Sequence, residues 1–189
     1  GDTVLMGRYP HSGYTVTKED LEIAADCLMK VHMGDYAMSM FNELSAGQHQ
    51  RVMVARGLAQ EPELLMLDEP TSNLDIYHQI STMRLLRDIA HRRGIIVLVI
   101  CHDLNVASRF SDRMIMFSQG RIYADGTPEE VITPETIHNV YRVNADVTTV
   151  QNRPYVIYYA EEENDNALHS ERYANTTKET IVDGAEQLR

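Results

Sequence analysis

Two consecutive carboxylates follow an apolar segment near the middle of this 189-residue chain, and they are its most chemically suggestive residues. Residues 64–67 form a short apolar run typical of a buried strand, and Asp68 and Glu69 come directly after it. In α/β proteins ligands bind at the carboxyl ends of the strands, so a strand here would present both acids at a binding edge. One carboxylate can hold Mg²⁺ through water while the other orients or deprotonates an attacking water, and phosphoryl transfer needs both tasks. Taken alone, the segment also fits an acidic turn after a core strand.

A small, glycine-containing turn lies about twenty residues upstream, at residues 44–48 (Leu-Ser-Ala-Gly-Gln). Ser45 can cap a helix that runs to about residue 59. The free N–H groups and the positive end of the helix dipole would then favour an anion. A capped helix start without any ligand is the alternative interpretation.

Polar residues also follow a second apolar run, at residues 95–100, which is continuous and rich in β-branched side chains. This composition predicts a strand buried on both faces of a sheet. Cys101, His102 and Asp103 come directly after it, so we expect an imidazole at the same edge as Asp68 and Glu69. A single histidine after a strand is usually structural. With residues 72–75 (Ser-Asn-Leu-Asp) as a fourth polar segment, however, the four segments in this order favour a phosphate-handling site.

The pattern of the chain predicts the elements that position these residues. Apolar side chains at helical spacing follow a candidate N-cap at Thr17, and Asp75 can cap a further helix that stops at Gly94. The other predicted elements are a turn-rich start (1–16), a helix (18–33), a short helix (to 110), a hairpin (113–124), capped turns at 127 and 133, and a final strand pair (147–159). Helices that alternate with buried strands predict an α/β domain with a parallel sheet.

Composition excludes several classes of function. The chain has 17 basic and 28 acidic residues, a net charge of −11, which argues against coating nucleic acid or an anionic membrane by charge. The longest purely apolar run is far shorter than the ~20 residues of a membrane span. Cys27 and Cys101 lack metal or disulfide spacing and are interpreted as free thiols of a reducing compartment. Residues 161–189 carry eight acids and three bases, which predicts a mobile, solvated tail.

These motifs resemble those of the ATP-binding subunits of ABC transporters. Residues 44–48 are similar to the family signature LSGGQ, with Ala46 in place of a glycine. Residues 64–69 resemble the Walker B strand with its catalytic glutamate, residues 72–75 resemble the D-loop, and His102 resembles the switch histidine. Two further segments, 4–11 and 126–131, are most similar to ATPases of importers for iron-siderophore, haem or cobalamin.

The resemblance implies an architecture and a set of partners. The fold would be the C-terminal part of an ABC-type P-loop ATPase: α/β, with a mostly parallel sheet, flanking helices and part of the helical subdomain. Residues 1–45 would be the helical part facing membrane permease subunits, 46–160 the catalytic core, and 161–189 the acidic tail. The implied partners are a second ATPase subunit and the permeases at the inner face of the cell membrane, with no nucleic acid.

The resemblance also implies a role for each site residue, with ATP and Mg²⁺ as cofactors. Asp68 would hold Mg²⁺ through water, Glu69 would polarise the hydrolytic water, and His102 would contact that water and the γ-phosphate. Asp75 would couple the two sites of a head-to-tail dimer. The residues that would bind ATP held by the other subunit are Ser45, Ala46, Gly47 and Gln48.

The phosphate loop of the family, GxxxxGK[ST], is not found among these 189 residues. We therefore expect the chain to be the C-terminal portion of a longer ATPase and to be inactive alone. In the family, the strand that carries this loop lies between the strands expected here at 95–100 and 113–117. The isolated chain should thus show a gap or a rearranged sheet at that place, with apolar strand edges exposed.

Two alternatives to an active ATPase subunit stay open. The chain can be a non-catalytic half-site that only offers residues 45–48 to a nucleotide held elsewhere. It can also be the C-terminal lobe of an SMC-type DNA-maintenance ATPase, although the long heptad coiled coil and basic face expected of that class are not evident. The methionines Met29, Met33, Met38 and Met40 are interpreted as packing residues, and the remaining histidines as surface or satisfied polar positions.

Overall fold

The computed structural model describes residues 1–12, 15–72 and 74–159, and its helices and strands form an α/β fold, as the sequence predicted. The predicted acidic tail, residues 161–189, lies outside the described residues. The helices are α1 (Asp2–Leu5), α2 (Tyr9–Ser12), α3 (Lys18–Lys30), α4 (Ala46–Leu58), α5 (Ile76–Arg93), α6 (Leu104–Phe110), α7 (Pro128–Val131) and α8 (Pro134–Tyr141). The strands are β1 (Leu64–Asp68), β2 (Ile96–Ile100), β3 (Met114–Ser118), β4 (Arg121–Gly126), β5 (Ala145–Val150) and β6 (Arg153–Tyr158).

Side-chain caps fix where most of the helices begin. Thr17 and Thr127 each form a reciprocal capping box with the acid three residues later. Asp75 and Asp103 accept hydrogen bonds from the first turns of α5 and α6. Gly94 ends α5 in the left-handed conformation that glycine adopts without strain. These boundaries confirm the predicted ones, except that α3 ends at Lys30 rather than near residue 33.

The start of the chain is helical, so the prediction of a turn-rich segment over residues 1–16 was wrong. A 3₁₀ turn, Met6–Arg8, joins α1 to α2. Packing on α4 imposes this conformation: Val4 is buried in the main core, and a Cβ at Gly7 would overlap the carbonyl oxygen of Arg56. Tertiary contacts therefore override the weak local signal of the glycine and proline residues.

Arg8 ties this segment to the rest of the helical region. Arg8 is only 6% exposed, and its guanidinium donates from Nε to Asp20 Oδ1 at 3.0 Å. Its Nη1 donates to the carbonyl oxygen of Ala59 at 2.8 Å and to Glu61 Oε2 at 2.7 Å. The cation therefore joins the start of α3 to the end of α4, and its charge is compensated where it is buried.

The parallel pairing is confined to β1 and β2, where the sequence predicted a mostly parallel sheet. α5 is the crossover between these strands, and the register sets Leu64 opposite Ile96 and Asp68 opposite Ile100. The other two described sheets are antiparallel hairpins, β3–β4 and β5–β6. They enclose a second, smaller core with α7 and α8.

The described strands β2 and β3 are not paired, which confirms the predicted interruption of the sheet. One face of β1–β2 packs on the helices through Leu65, Val97 and Val99. The other face is open: Met66 is 65% exposed and Ile96 is 68% exposed. The prediction that 95–100 is buried on both faces was therefore wrong, and only one face of the predicted buried strand at 64–67 is covered, because no described element packs on the other side.

The methionine prediction holds in part. Met33 is buried in the main core, but Met29, Met38 and Met40 are exposed.

Both cysteines are free thiols in the structure. Within the described part of the chain, no helix is both long and apolar enough to cross a bilayer.

The Arg8 ion pair yields a stability prediction. Replacing Arg8 with Met should lower the free energy of unfolding by about 3 to 5 kcal/mol, because the Asp20 carboxylate would stay buried without its cation. The matched control is Lys18→Met, which removes an exposed pair with Glu22 and should cost less than about 1 kcal/mol. Urea denaturation measures both values, and equal losses would contradict a structural role for Arg8.

Candidate functional site

A close contact between the side chains of Glu69 and His102 forms the centre of the candidate site. His102 Nε2 lies 2.6 Å from Glu69 Oε1. The two residues come from different strand ends: the Glu69 N–H donates to the carbonyl oxygen of Ile100 at 3.2 Å, which continues the β1–β2 ladder by one step. The parallel register therefore brings together the two side chains that the sequence predicted at one edge.

The backbone of Glu69 has a conformation that is rare for a residue with a side chain. Its φ is +44°, in the left-handed region. The turn is held closed by Ser72, whose N–H and hydroxyl donate to the carbonyl oxygen of Glu69 at 3.0 and 2.9 Å. Strained backbone of this kind costs of order 1–3 kcal/mol and is concentrated at functional sites.

The pair is open to solvent, since 43% of the Glu69 side chain and 77% of the His102 side chain are exposed. At 2.6 Å the imidazole and one carboxylate oxygen are within hydrogen-bond distance, and the second carboxylate oxygen of Glu69 can accept a hydrogen bond from a water. This arrangement suits proton transfer from a water that attacks an electrophile.

Cys101, the residue before His102, has no part in this proton transfer. Burial raises the pKa of its thiol, and its Sγ lies 3.5 Å from the carbonyl oxygen of Asp103. The group therefore stays protonated near neutral pH and packs the end of β2.

Asp68 is exposed on the open face of β1, next to Glu69. Among the described residues, no group of three or more His, Cys, Asp or Glu side chains could hold a metal ion. A single carboxylate fits Mg²⁺, which keeps several waters and binds through one or two carboxylates together with substrate phosphates. The donor set does not form an all-protein metal cage.

The turn at residues 45–48 starts α4 with a capping box. Ser45 Oγ accepts the N–H of Gln48 at 3.4 Å, and Gln48 Oε1 accepts the N–H of Ser45 at 2.9 Å. Ala46 and Gly47 occupy the first helical positions, where N–H groups have no partner within a helix. Such groups can receive an anionic oxygen.

Asp75 caps α5 by accepting the N–H of His78 on Oδ1 at 2.9 Å. In residues 1–12, 15–72 and 74–159, neither Ser45 nor Gln48 makes a hydrogen bond or an ion pair with Glu69 or His102. Two sets of contacts are present: His78 contacts both Gly47 and Asp75, and Glu69, which follows Asp68, contacts His102.

Sequence reasoning missed the contact of His78 with Gly47; the residue was interpreted as a surface or satisfied polar position. Its ring lies against Gly47: a Cβ on that glycine would be 3.1 Å from both Cγ and Nδ1 of the ring. The spacing of His78 from Asp75 identifies it as part of the first turn of α5, but no local pattern reveals the contact with Gly47.

Comparison with known proteins agrees with this geometry. Residues 8–72 match the family model of the ABC transporter domain. An uncharacterised ABC transporter ATP-binding protein of Methanocaldococcus jannaschii is 46% identical over 82% of this chain and 61% of its own length. The chain belongs to the ABC transporter ATP-binding family.

Other members of the family have named transport roles. The iron(3+)-hydroxamate import ATP-binding protein of Bacillus subtilis is 40% identical over 84% of this chain and 60% of its own length. Further relatives are named for the import of hemin, petrobactin and cobalamin. The chain therefore spans about 60% of the length of the first two curated ABC relatives.

Solved ABC structures have the same fold. An inward-facing metal-chelate type ABC transporter superimposes with a TM-score of 0.77 at 25% identity, over 85% of this chain and 66% of the other. A dimeric ATP-binding cassette bound to ADP and Pi gives a TM-score of 0.55 at 32% identity, over 67% of this chain and 54% of the other.

The backbone of Glu69 in this ABC chain gives a second stability prediction. Replacing Glu69 with Gly should leave the free energy of unfolding unchanged or raise it by up to about 1 kcal/mol, because glycine removes the cost of the positive φ. The control Glu135→Gly, in the first turn of α8, should lose about 1 kcal/mol. Urea unfolding compares the two, and a larger loss for Glu69→Gly would show that the turn is unstrained.

Proposed function

We propose that this chain carries the hydrolytic acid–imidazole pair and the signature segment of the ATP-hydrolysing subunit of an ABC importer. The observation that carries the proposal is the contact of 2.6 Å between Glu69 and His102 at the ends of two adjacent parallel strands. Membership of the ABC family supplies the substrate class, a nucleoside triphosphate.

In this proposal Glu69 polarises the hydrolytic water and His102 holds that water and the γ-phosphate of ATP. The imidazole can contact both because it is largely exposed while it is anchored to the carboxylate. Loss of a general base typically lowers the rate of the chemical step by a factor of ~10²–10⁴.

Asp68 is the residue proposed to hold Mg²⁺ through water, beside the phosphates. The ion would neutralise charge that develops on the phosphoryl oxygens. Its exposure on the open face of β1 leaves room for both water and phosphate.

Ser45, Ala46, Gly47, Gln48 and Asp75 are proposed to act on ATP held by a second subunit. The free N–H groups at the start of α4 suit an anionic oxygen, and among the described residues no hydrogen bond or ion pair joins Ser45 or Gln48 to Glu69 or His102. The dimeric state of one solved ABC neighbour fits the same arrangement.

The proposed division of the chain follows from these roles. Residues 1–45 would face the permease subunits at the inner face of the cell membrane, and residues 46–160 would form the catalytic core. The exposed Met38, Met40 and Phe41 in the first part offer an apolar surface suited to protein contacts. No nucleic acid partner is proposed, given the charge of −11. The names of the relatives favour an iron-siderophore, haem or cobalamin type of cargo.

A non-catalytic half-site is the second candidate function. It is favoured by one observation: the 189 residues contain no GxxxxGK[ST] segment to hold nucleotide phosphates. Such a chain would act only through residues 45–48 and Asp75, and Glu69 would have no catalytic role.

A chimera separates the two candidates. The N-terminal part of an ABC ATP-binding relative that contains a GxxxxGK[ST] segment is joined ahead of this chain, and the steady-state release of phosphate by the chimera is measured. The chimera should hydrolyse ATP, and Glu69→Gln should lower kcat by ~10²–10⁴ because the general base is lost.

The control for the chimera is Glu135→Gln, an exposed carboxylate on α8 that should leave kcat unchanged. Equal activity of the Glu69→Gln chimera and its parent would contradict the catalytic role. A folded chimera without any turnover would favour the half-site instead.

The 189-residue chain alone should neither bind ATP tightly nor hydrolyse it, because it contains no GxxxxGK[ST] segment to hold the β- and γ-phosphates. Titration with a fluorescent ATP analogue and a phosphate-release assay measure this directly. Turnover that disappears in Glu69→Gln would contradict the prediction, whereas a contaminating ATPase would survive that change.

A further inference from the structure

Two side-chain contacts join α4 to α5. At one end the ring of His78 lies on Gly47, with Cγ and Nδ1 each 3.1 Å from the place a Cβ would take. At the other end Arg51 Nη2 donates to Ser81 Oγ at 2.7 Å. Arg51 is one helical turn beyond Gly47, and Ser81 is one turn beyond His78, so the two contacts follow the same face of each helix.

His78 is also bound to the residue that caps its own helix. Its N–H donates to Asp75 Oδ1 at 2.9 Å, while its ring contacts Gly47. The backbone of one residue therefore holds Asp75, and the side chain of the same residue holds the turn at 45–48. A Cβ at position 47 would require the ring to move by a few tenths of an ångström.

We propose that His78 is a positioning residue that fixes the turn at 45–48 relative to Asp75. This inference rests on the proposed function, in which these two segments act together on ATP held by another subunit. A displacement of about 1 Å in a set of residues that position a substrate can lower the reaction rate by ~10²-fold. His78 acts through Gly47 and Asp75 and does not itself touch the nucleotide.

A positioning role has a kinetic signature that loss of stability lacks. The other subunit holds ATP through its own phosphate loop before the dimer closes, so a misplaced signature turn should lower kcat and leave the KM for ATP almost unchanged. General destabilisation would instead reduce the amount of active dimer. Any variant that lowers the free energy of unfolding by the same amount would then lose the same activity, wherever its substitution lies.

The experiment mixes the full 189-residue chain with the full-length Methanocaldococcus relative, in which the serine of its own signature is replaced by arginine. ATP turnover then depends on residues 45–48 and Asp75 of this chain. His78→Ala should lower kcat by about tenfold or more, with KM within about threefold of the parent. His78→Phe keeps a flat ring on Gly47 and should restore kcat to within about threefold.

The matched control is His91→Ala, which removes a histidine from the far end of the same helix, where it pairs with Asp112. Its kcat should equal that of the parent. The geometry is tested separately in the 189-residue chain: the NMR resonances of Gly47 should shift in His78→Ala, because the ring current is lost, and should stay in place in His91→Ala.

Each outcome supports or overturns one claim. If the parent mixture is inactive, the proposed action of residues 45–48 and Asp75 on ATP held by another subunit fails, and the assignment of His78 falls with it, whereas the chimera tests Glu69 separately. If the parent is active, the assignment is overturned by an unchanged kcat in His78→Ala, by a rise in KM that accounts for the whole loss, by failure of His78→Phe to rescue, or by Gly47 resonances that do not move.

Discussion

The parallel pairing of β1 and β2 is the constraint on which the candidate site depends. A parallel ladder brings the carboxyl ends of both strands to one edge, so the residues that follow Asp68 and Ile100 become neighbours without any direct sequence relation between them. Shifting the register by one residue would also move Leu65 and Val97 out of the core, which makes the pairing, and with it the contact of Glu69 and His102, strongly specified.

The helix caps are the second layer of this positioning, and they were predictable because they are local. Ser45, Asp75 and Asp103 each bond to N–H groups two or three residues ahead, so residue type and spacing are sufficient to locate them. The strand ends at Asp68 and Ile100 were predictable for a similar reason: the apolar run stops where polar side chains begin. The resemblance to ABC ATPases was carried by these same segments, and family comparison confirmed it.

Features that depend on distant packing could not be predicted. The short helices at the start of the chain form because Val4 and Gly7 pack on α4, and their own sequence suggests turns. The side chains on the open face of β1–β2 are as apolar as those of a covered face. The exposure of Met66 and Ile96 therefore cannot be predicted from the local sequence. The positive φ of Glu69 and the contact of His78 with Gly47 likewise arise from tertiary structure.

The central claim is that one chain presents two half-sites, one built on Glu69 and His102 and the other on residues 45–48, which meet only across a dimer. A nucleotide-dependent cross-link tests this most directly. Ser45→Cys, in a Cys101→Ser background, is mixed with a full-length ABC ATP-binding subunit that carries a single cysteine in its phosphate loop. ATP with Mg²⁺ should produce a disulfide between the two chains, and ADP should produce much less. A cross-link that forms equally well with either nucleotide, or with neither, would contradict the division into two half-sites.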